Sequence, residues 1–153
     1  VVWDLISEQP GRFLRRSGDQ VQVIRDAGPA VKSIAAVPGS SLLAVGDAGG
    51  EVALWDANGK ARTLVTGRGA IGAVAVSRDG TTVAAAANDS LITLWQVADG
   101  TQVATLTGHT GPVNAVLFDA DGDLTSSGPD ARVIRWELDP DQVISRLSAP
   151  GPR

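Results

Sequence analysis

From Lys32 onward, apolar residues alternate with polar or small ones in bursts of about six, separated by turns rich in Gly and Asp. Alternation with a period of two is the pattern of a half-buried β-strand. The bursts recur in sets. KSIAAV (32–37), GAVAVS (72–77) and NAVLFD (114–119) read as first strands, and SLLAVG (41–46), TTVAAA (81–86) and GDLTSS (122–127) as second strands. Third strands are VALWD (52–56), ITLWQ (92–96) and VIRWE (133–137), with ARTLV (61–65) and QVATL (102–106) as fourths. Between them stand the turn sequences DAGG (47–50), SRDG (77–80) and DADG (119–122).

Tryptophan marks the period. Trp3, Trp55, Trp95 and Trp136 are spaced 52, 40 and 41 residues apart, and a step in the low forties is what four short strands and their turns require. Each of the last three ends a third strand, and an acid follows the indole in Trp3-Asp4, Trp55-Asp56 and Trp136-Glu137. Asp89 and Asp130 stand six positions before Trp95 and Trp136. The chain therefore reads as tandem four-stranded antiparallel meanders.

With TGHTGPVNAVLFDADG (107–122) supplying a Gly-His opening before a first strand, and VWD and LWD supplying Trp-Asp endings, the chain resembles the WD-repeat β-propeller family over nearly its whole length. The resemblance implies an all-β fold, an open arc of about three blades at about 25–66, 67–107 and 108–138, after a blade remnant at 1–24. It also implies a structural tetrad in the last repeat, His109, Ser126, Asp130 and Trp136, tying the loop before the first strand to the second and third strands. An indole N–H is donor-only and a carboxylate acceptor-only, so such a buried network needs its other members to complete the pairing. The matching positions of the middle repeat are Arg68, Ala85, Asp89 and Trp95, and those of the first full repeat are Ala27, Val45, Gly49 and Trp55. There the signature is degenerate.

Composition narrows the function. A formal charge of −4 and a pI near 4.8 oppose a nucleic-acid partner, whose binding rests on clustered Lys and Arg. With no Cys there is no disulfide framework, thiolate site or Cys nucleophile, and a cytoplasmic location is favoured. No apolar run is long enough for a membrane-spanning helix, so no membrane partner is expected. The sequence contains no Met and opens inside what reads as a strand, which points to a piece of a longer protein. A bias to Ala, Gly, Val, Arg and Asp fits a high-GC bacterium.

His109 is the sole histidine, and beside Asp130 and Ser126 it invites a hydrolytic triad; yet Ser126 falls in a strand and no GxSxG elbow is present. DADGD (119–123) has the acids of a calcium loop without its six-position pattern or distal Glu, and reads as a hairpin turn. GDAGGE (46–51) lacks the GK[ST] ending of a phosphate loop. GRFLRR (11–16) reads as a solvated strand or loop. No cofactor or metal site is expected.

Two segments admit two readings each. The long first Trp interval holds about eleven surplus residues: either Val21 to Ile24 form a fourth strand and the surplus lies within 7–19, or RFLRR (12–16) is that strand and the surplus follows it. The tail 139–153 reads as a helix capped by Asp139 with Val143, Ile144 and Leu147 on one face, or as a last outer strand near 142–147. The expected function is a non-catalytic scaffold for a protein or peptide partner, with the remaining blades of a parent propeller as further contacts. A regulatory or sensing C-terminal domain of a bacterial signalling kinase or nucleotide-hydrolysing protein is the alternative. A propeller enzyme fits less well, having one His to work with.

Overall fold

The computed structural model describes residues 12–17, 19–25, 28–56, 58–65 and 69–138. The expected strand at Val1 to Leu5 with Trp3 and Asp4, the positions Ala27 and Arg68, and the tail 139–153 lie outside the described residues. Every regular element among the described residues is a strand. A hairpin of β1 (Phe13–Ser17) and β2 (Gln20–Arg25) comes first. Next is a four-stranded antiparallel sheet of β3 (Val31–Ala36), β4 (Leu43–Asp47), β5 (Val52–Asp56) and β6 (Gly59–Val65). A second comprises β7 (Ile71–Val76), β8 (Thr82–Ala87), β9 (Leu91–Gln96) and β10 (Gln102–Thr107). The third has β11 (Ala115–Phe118), β12 (Leu124–Ser127) and β13 (Val133–Trp136).

All sheets are meanders in which sequence neighbours pair, so local turns alone set their topology. Among the described residues, the surplus in the long Trp interval is strand and not loop. Both segments weighed as a fourth strand are strands, paired with each other from Phe13↔Arg25 to Ser17↔Gln20. What one alignment leaves as loop is the other's strand.

Period-two alternation sends neighbouring residues to opposite faces, and in the first two sheets both faces are buried. Along β8, Val83, Ala85 and Ala87 join Ala44, Val52, Leu54 and Ile71 in a core between the first and second sheets. Ala84 and Ala86, with Ile92 and Leu94 of β9, join Val113 and Leu124 in a core between the second and third. A further cluster of Leu43, Val45, Ala53 and Trp55 occupies the other face of the first sheet. The tryptophans thus mark interfaces: Trp95 packs in the core shared with the preceding sheet, and Trp136 packs against the core between the second and third sheets.

First strands β3, β7 and β11 are neighbours across the sheets. A side chain stitches two of them, since Ser33 Oγ accepts the Val74 N–H at 3.0 Å. Close approach depends on glycine. A Cβ on Gly46 would lie 2.4 Å from Cγ2 of Ile71, and one on Gly72 would lie 2.5 Å from the Val113 carbonyl oxygen.

Candidate functional site

Turns of the third sheet bring four polar side chains together. His109 precedes β11, Ser126 lies on β12, Asp130 is in the turn to β13, and Trp136 ends β13. The His109 ring sits with Nδ1 2.8 Å from Asp130 Oδ2 and Nε2 2.8 Å from Ser126 Oγ. Trp136 Nε1 donates to the same Ser126 Oγ at 2.8 Å. Ser126 is 1% exposed and His109 8%.

Donor and acceptor inventories fix the direction of this chain. The indole N–H can only donate, so Ser126 Oγ accepts it and turns its own hydrogen to His109 Nε2. Nδ1–H then donates to Asp130, which as a carboxylate can only accept. In the neutral imidazole each ring nitrogen and the indole N–H has a partner suited to its role. Gly108 makes room for the indole, because a Cβ there would come within 2.8 Å of Trp136 Cη2.

Asp130 divides its two oxygens between two tasks. Oδ1 accepts the Arg132 N–H at 3.2 Å and shapes the turn; Oδ2 accepts the Thr110 N–H at 3.0 Å beside the imidazole. Burial works to raise its carboxyl, and the bonds from the Thr110 N–H, His109 and the Arg132 N–H outweigh it, holding it below the ordinary carboxylate value. Arg132 Nη1 also donates to the Gly108 carbonyl at 2.7 Å, a second tie between the same loops.

The other repeats keep the turn and change the tie. Asp89 Oδ1 accepts the Leu91 N–H at 3.1 Å, the same two-residue bond that Asp130 makes. Ala85 stands where Ser126 would be, and Trp95 is 2% exposed in an apolar core. In the first sheet Gly49 replaces the acid, and Asp47, two residues earlier, accepts the N–H groups of Gly49 at 2.9 Å and Glu51 at 3.0 Å. Asp56, after Trp55, accepts the Asn58 N–H at 2.7 Å and starts the next hairpin. Lys60 reaches over the Trp55 ring at 5.4 Å while paired with Glu51.

Sequence reasoning missed an ion cluster. In the DADGD loop, Asp119 Oδ1 accepts the N–H groups of Asp121 and Asp123, and its Oδ2 takes Arg135 Nη2 at 3.1 Å. Asp123 Oδ2 lies 2.9 Å from the same nitrogen. The cation among these acids is a guanidinium from β13, and the signal for it was Arg135 standing where Leu54 and Leu94 stand in the other sheets. Among the described residues no group of His, Asp and Glu is arranged to hold a metal ion. No helix of the described residues is long and apolar enough to cross a membrane.

The chemistry available to His109, Ser126 and Asp130 is that of a clamp. Ser126 Oγ is closed off by the indole on one side and the imidazole on the other, leaving no open approach for a substrate carbonyl.

Comparison with known proteins agrees with this architecture. The family model described as WD domain, G-beta repeat matches residues 59–96 and 100–137. WD repeat-containing protein 1-A of Xenopus laevis is 33% identical over 126 residues, covering 77% of this chain and 21% of that protein. An uncharacterized WD repeat-containing protein of Synechocystis sp. is 38% identical over 77 residues, 49% of this chain and 22% of that protein. WD repeat and HMG-box DNA-binding protein 1 of Xenopus laevis is 42% identical over 66 residues, 42% of this chain and 6% of that protein. The chain therefore spans less than a quarter of each of these relatives. Among solved structures, that of U3-55K superposes with a TM-score of 0.72 at 20% identity, over 76% of this chain and 38% of that one. The fold is thus propeller-like, with open sheets.

Proposed function

We propose that this chain, a member of the WD-repeat family, serves as a rigid, non-catalytic scaffold for a protein or peptide partner. One observation carries the reading: the groups that could do chemistry are consumed in holding loops. His109, Ser126 and Asp130 bind one another and Trp136, with Ser126 1% exposed. What remains outside are short turns on rigid sheets, such as Thr110, Pro129 and Arg132, and turns so mounted are the usual carriers of partner contacts.

The small share of each relative that the chain spans supports a second set of contacts, with remaining blades of a parent propeller. The DNA binding named in one relative is not carried over, since the alignment covers 6% of that protein and this chain has a formal charge of −4. A cytoplasmic, bacterial origin goes with the absence of cysteine and with the composition.

The test uses two variants. Replacing Arg132 and Pro129 together by Ala should lower capture of a defined partner with the far-ultraviolet spectrum unchanged. His109→Ala should abolish no hydrolytic activity. A hydrolase activity that disappears in His109→Ala while the fold persists would overturn the scaffold reading.

A further inference from the structure

Three asparagines stand in the chain, Asn58, Asn88 and Asn114, and one of them precedes glycine. Asn58-Gly59 lies where β5 turns into β6, with Asn58 exposed. Its backbone N–H donates to Asp56 Oδ1 at 2.7 Å, and no hydrogen bond to a described residue holds its side-chain amide. Gly59 pairs with Asp56 as the last rung of the β5–β6 ladder, where strand pairing frays first. Its φ is 130°, a backbone that glycine adopts most readily, and a Cβ there would meet nothing within 4 Å.

These features set an electrophile beside a nucleophile. The Cγ of an asparagine and the backbone nitrogen of the next residue are the ends of a five-membered ring, and a side chain on that next residue hinders its closure. Glycine has none. Asp79-Gly80, Asp99-Gly100 and Asp121-Gly122 offer the same ring without the same chemistry. A carboxylate is ionised at neutral pH and is a poor electrophile. The nitrogens are also engaged there: Gly80, Gly100 and Gly122 donate their N–H to the carbonyls of Ser77, Gln96 and Asp119 at 2.8, 2.9 and 3.3 Å. Asp79 Oδ1 is further tied by Ser77 and Thr81.

We propose that Asn58 is a site of spontaneous modification, deamidating through a succinimide formed with Gly59. The Gly59 nitrogen bonds to Asn58 Cγ, the Cγ–Nδ2 bond breaks, and ammonia leaves with the proton that the Gly59 nitrogen gives up. Water then opens the ring. Attack at Cγ leaves an ordinary aspartyl; attack at the backbone carbonyl leaves an isoaspartyl, in which the chain runs through Cβ and Cγ. Both products carry a new negative charge two residues from Asp56. The isoaspartyl also lengthens the turn by one backbone carbon, so the Asp56↔Gly59 pair loses its register. β6 is an edge strand of its sheet, held to the core between the first and second sheets through Leu64. The modification therefore loosens an edge and spares the strands inside it.

Incubation of the full chain in heavy-oxygen water at neutral and mildly alkaline pH, read by peptide mass spectrometry with electron-transfer fragmentation, tests this. Position 58 should take up one heavy oxygen and become a mixture of aspartyl and isoaspartyl. The rate should rise with pH, because the attacking nitrogen must lose its proton, and should fall within an order of magnitude of that of a free peptide of residues 55–61. Asn88 and Asn114 should stay unchanged. Asn58→Asp supplies the charge without the added carbon, so when fresh it should resist protease as the wild type does, whereas the aged wild-type chain should be cut sooner within 59–65. An Asn58 that persists after the free peptide has converted overturns the proposal. So does a product without isoaspartyl, or conversion of Asn88 and Asn114 at the same pace. An aged chain as resistant as fresh Asn58→Asp overturns the loosening of β6.

Discussion

His109 and Asp130 stand 21 residues apart in the chain and meet at 2.8 Å, with side chains 1% and 4% exposed. Through that contact the loop entering β11 is fastened to the turn leaving β12, and Ser126 and Trp136 extend the fastening into the sheet. A network in which each donor has one acceptor is costly to interrupt, because the remaining groups are too buried to turn to water.

Ser126→Ala should therefore cost about 1–3 kcal/mol, as it strands the Trp136 N–H and the His109 Nε2 acceptor in a closed site. Asp130→Ala removes the acceptor of the Thr110, His109 and Arg132 donors together and should destabilise further. Urea denaturation reads both as a lower midpoint at unchanged slope. An unaltered midpoint for Ser126→Ala would show that the network does not hold the repeat.

Acid should weaken the fold through a defined set of carboxyls. Asp79 is held below the ordinary value by the Ser77 hydroxyl first and by Thr81, and Asp130 by the bonds already described. At Asp119 burial works upward, and the Asp123 N–H, Arg135 and the Asp121 N–H overcome it. Each lowered value means that folding favours the ionised form. The contribution is fully present above the unfolded value of about 3.9 and is lost as pH falls through the lower folded values. Urea midpoints should decline below about pH 4, and Asp79→Asn should make the decline shallower.

Much of this was legible beforehand because the governing signals are local. Alternation set the strands, Gly and Asp set the turns, and the Trp period set the number of sheets. The meeting of His109, Ser126, Asp130 and Trp136 was read from the family resemblance, since nothing local says that His109 reaches a turn 21 residues away. Hidden altogether were contacts that depend on how sheets face one another, such as the bond between Ser33 and Val74, 41 residues apart. The Arg135 cluster lies within one sheet and left one sign, an arginine where the other sheets have leucine, while Asp119, 16 residues away, left none. Two strands in place of a surface insertion at 13–25 escaped a one-strand alignment for a related reason: each segment satisfies the same short pattern.

Backbone strain supplies a stabilising prediction. The residue after the turn Asp is left-handed in the last two sheets, with φ of 70° at Ser90 and 60° at Ala131, and the corresponding residue of the first sheet is Gly50 at 86°. A side chain in that region costs about 1–2 kcal/mol, and the added freedom of glycine in the unfolded chain returns about 0.4–1 of it. Ala131→Gly and Ser90→Gly should each raise stability by roughly 0.5–1 kcal/mol, and thermal unfolding would detect it. Gly50→Ala should move it the other way.

Packing between sheets makes a prediction about a pair. Ile71 sits against Gly46, where a Cβ would come within 2.4 Å of its Cγ2. One interface later, the equivalents of Gly46 and Ile71 are Ala86 and Val113, both 0% exposed in one core cluster. The larger side chain faces the smaller residue in one interface, and both change by a single carbon in the next. Gly46→Ala alone should cost about 1–3 kcal/mol by overpacking, because Ile71 is 2% exposed and has no empty side to move toward. Ile71→Ala alone, which removes the Cγ2 that the new methyl would meet, should cost about 2–5 kcal/mol by leaving a void. Together the new methyl takes space that the Cγ2 gave up, so the double variant should be more stable than the two costs predict, with a coupling of roughly 0.5–3 kcal/mol. Costs that simply add in the cycle would mean that the glycine answers to the strand's own backbone and not to the neighbouring sheet.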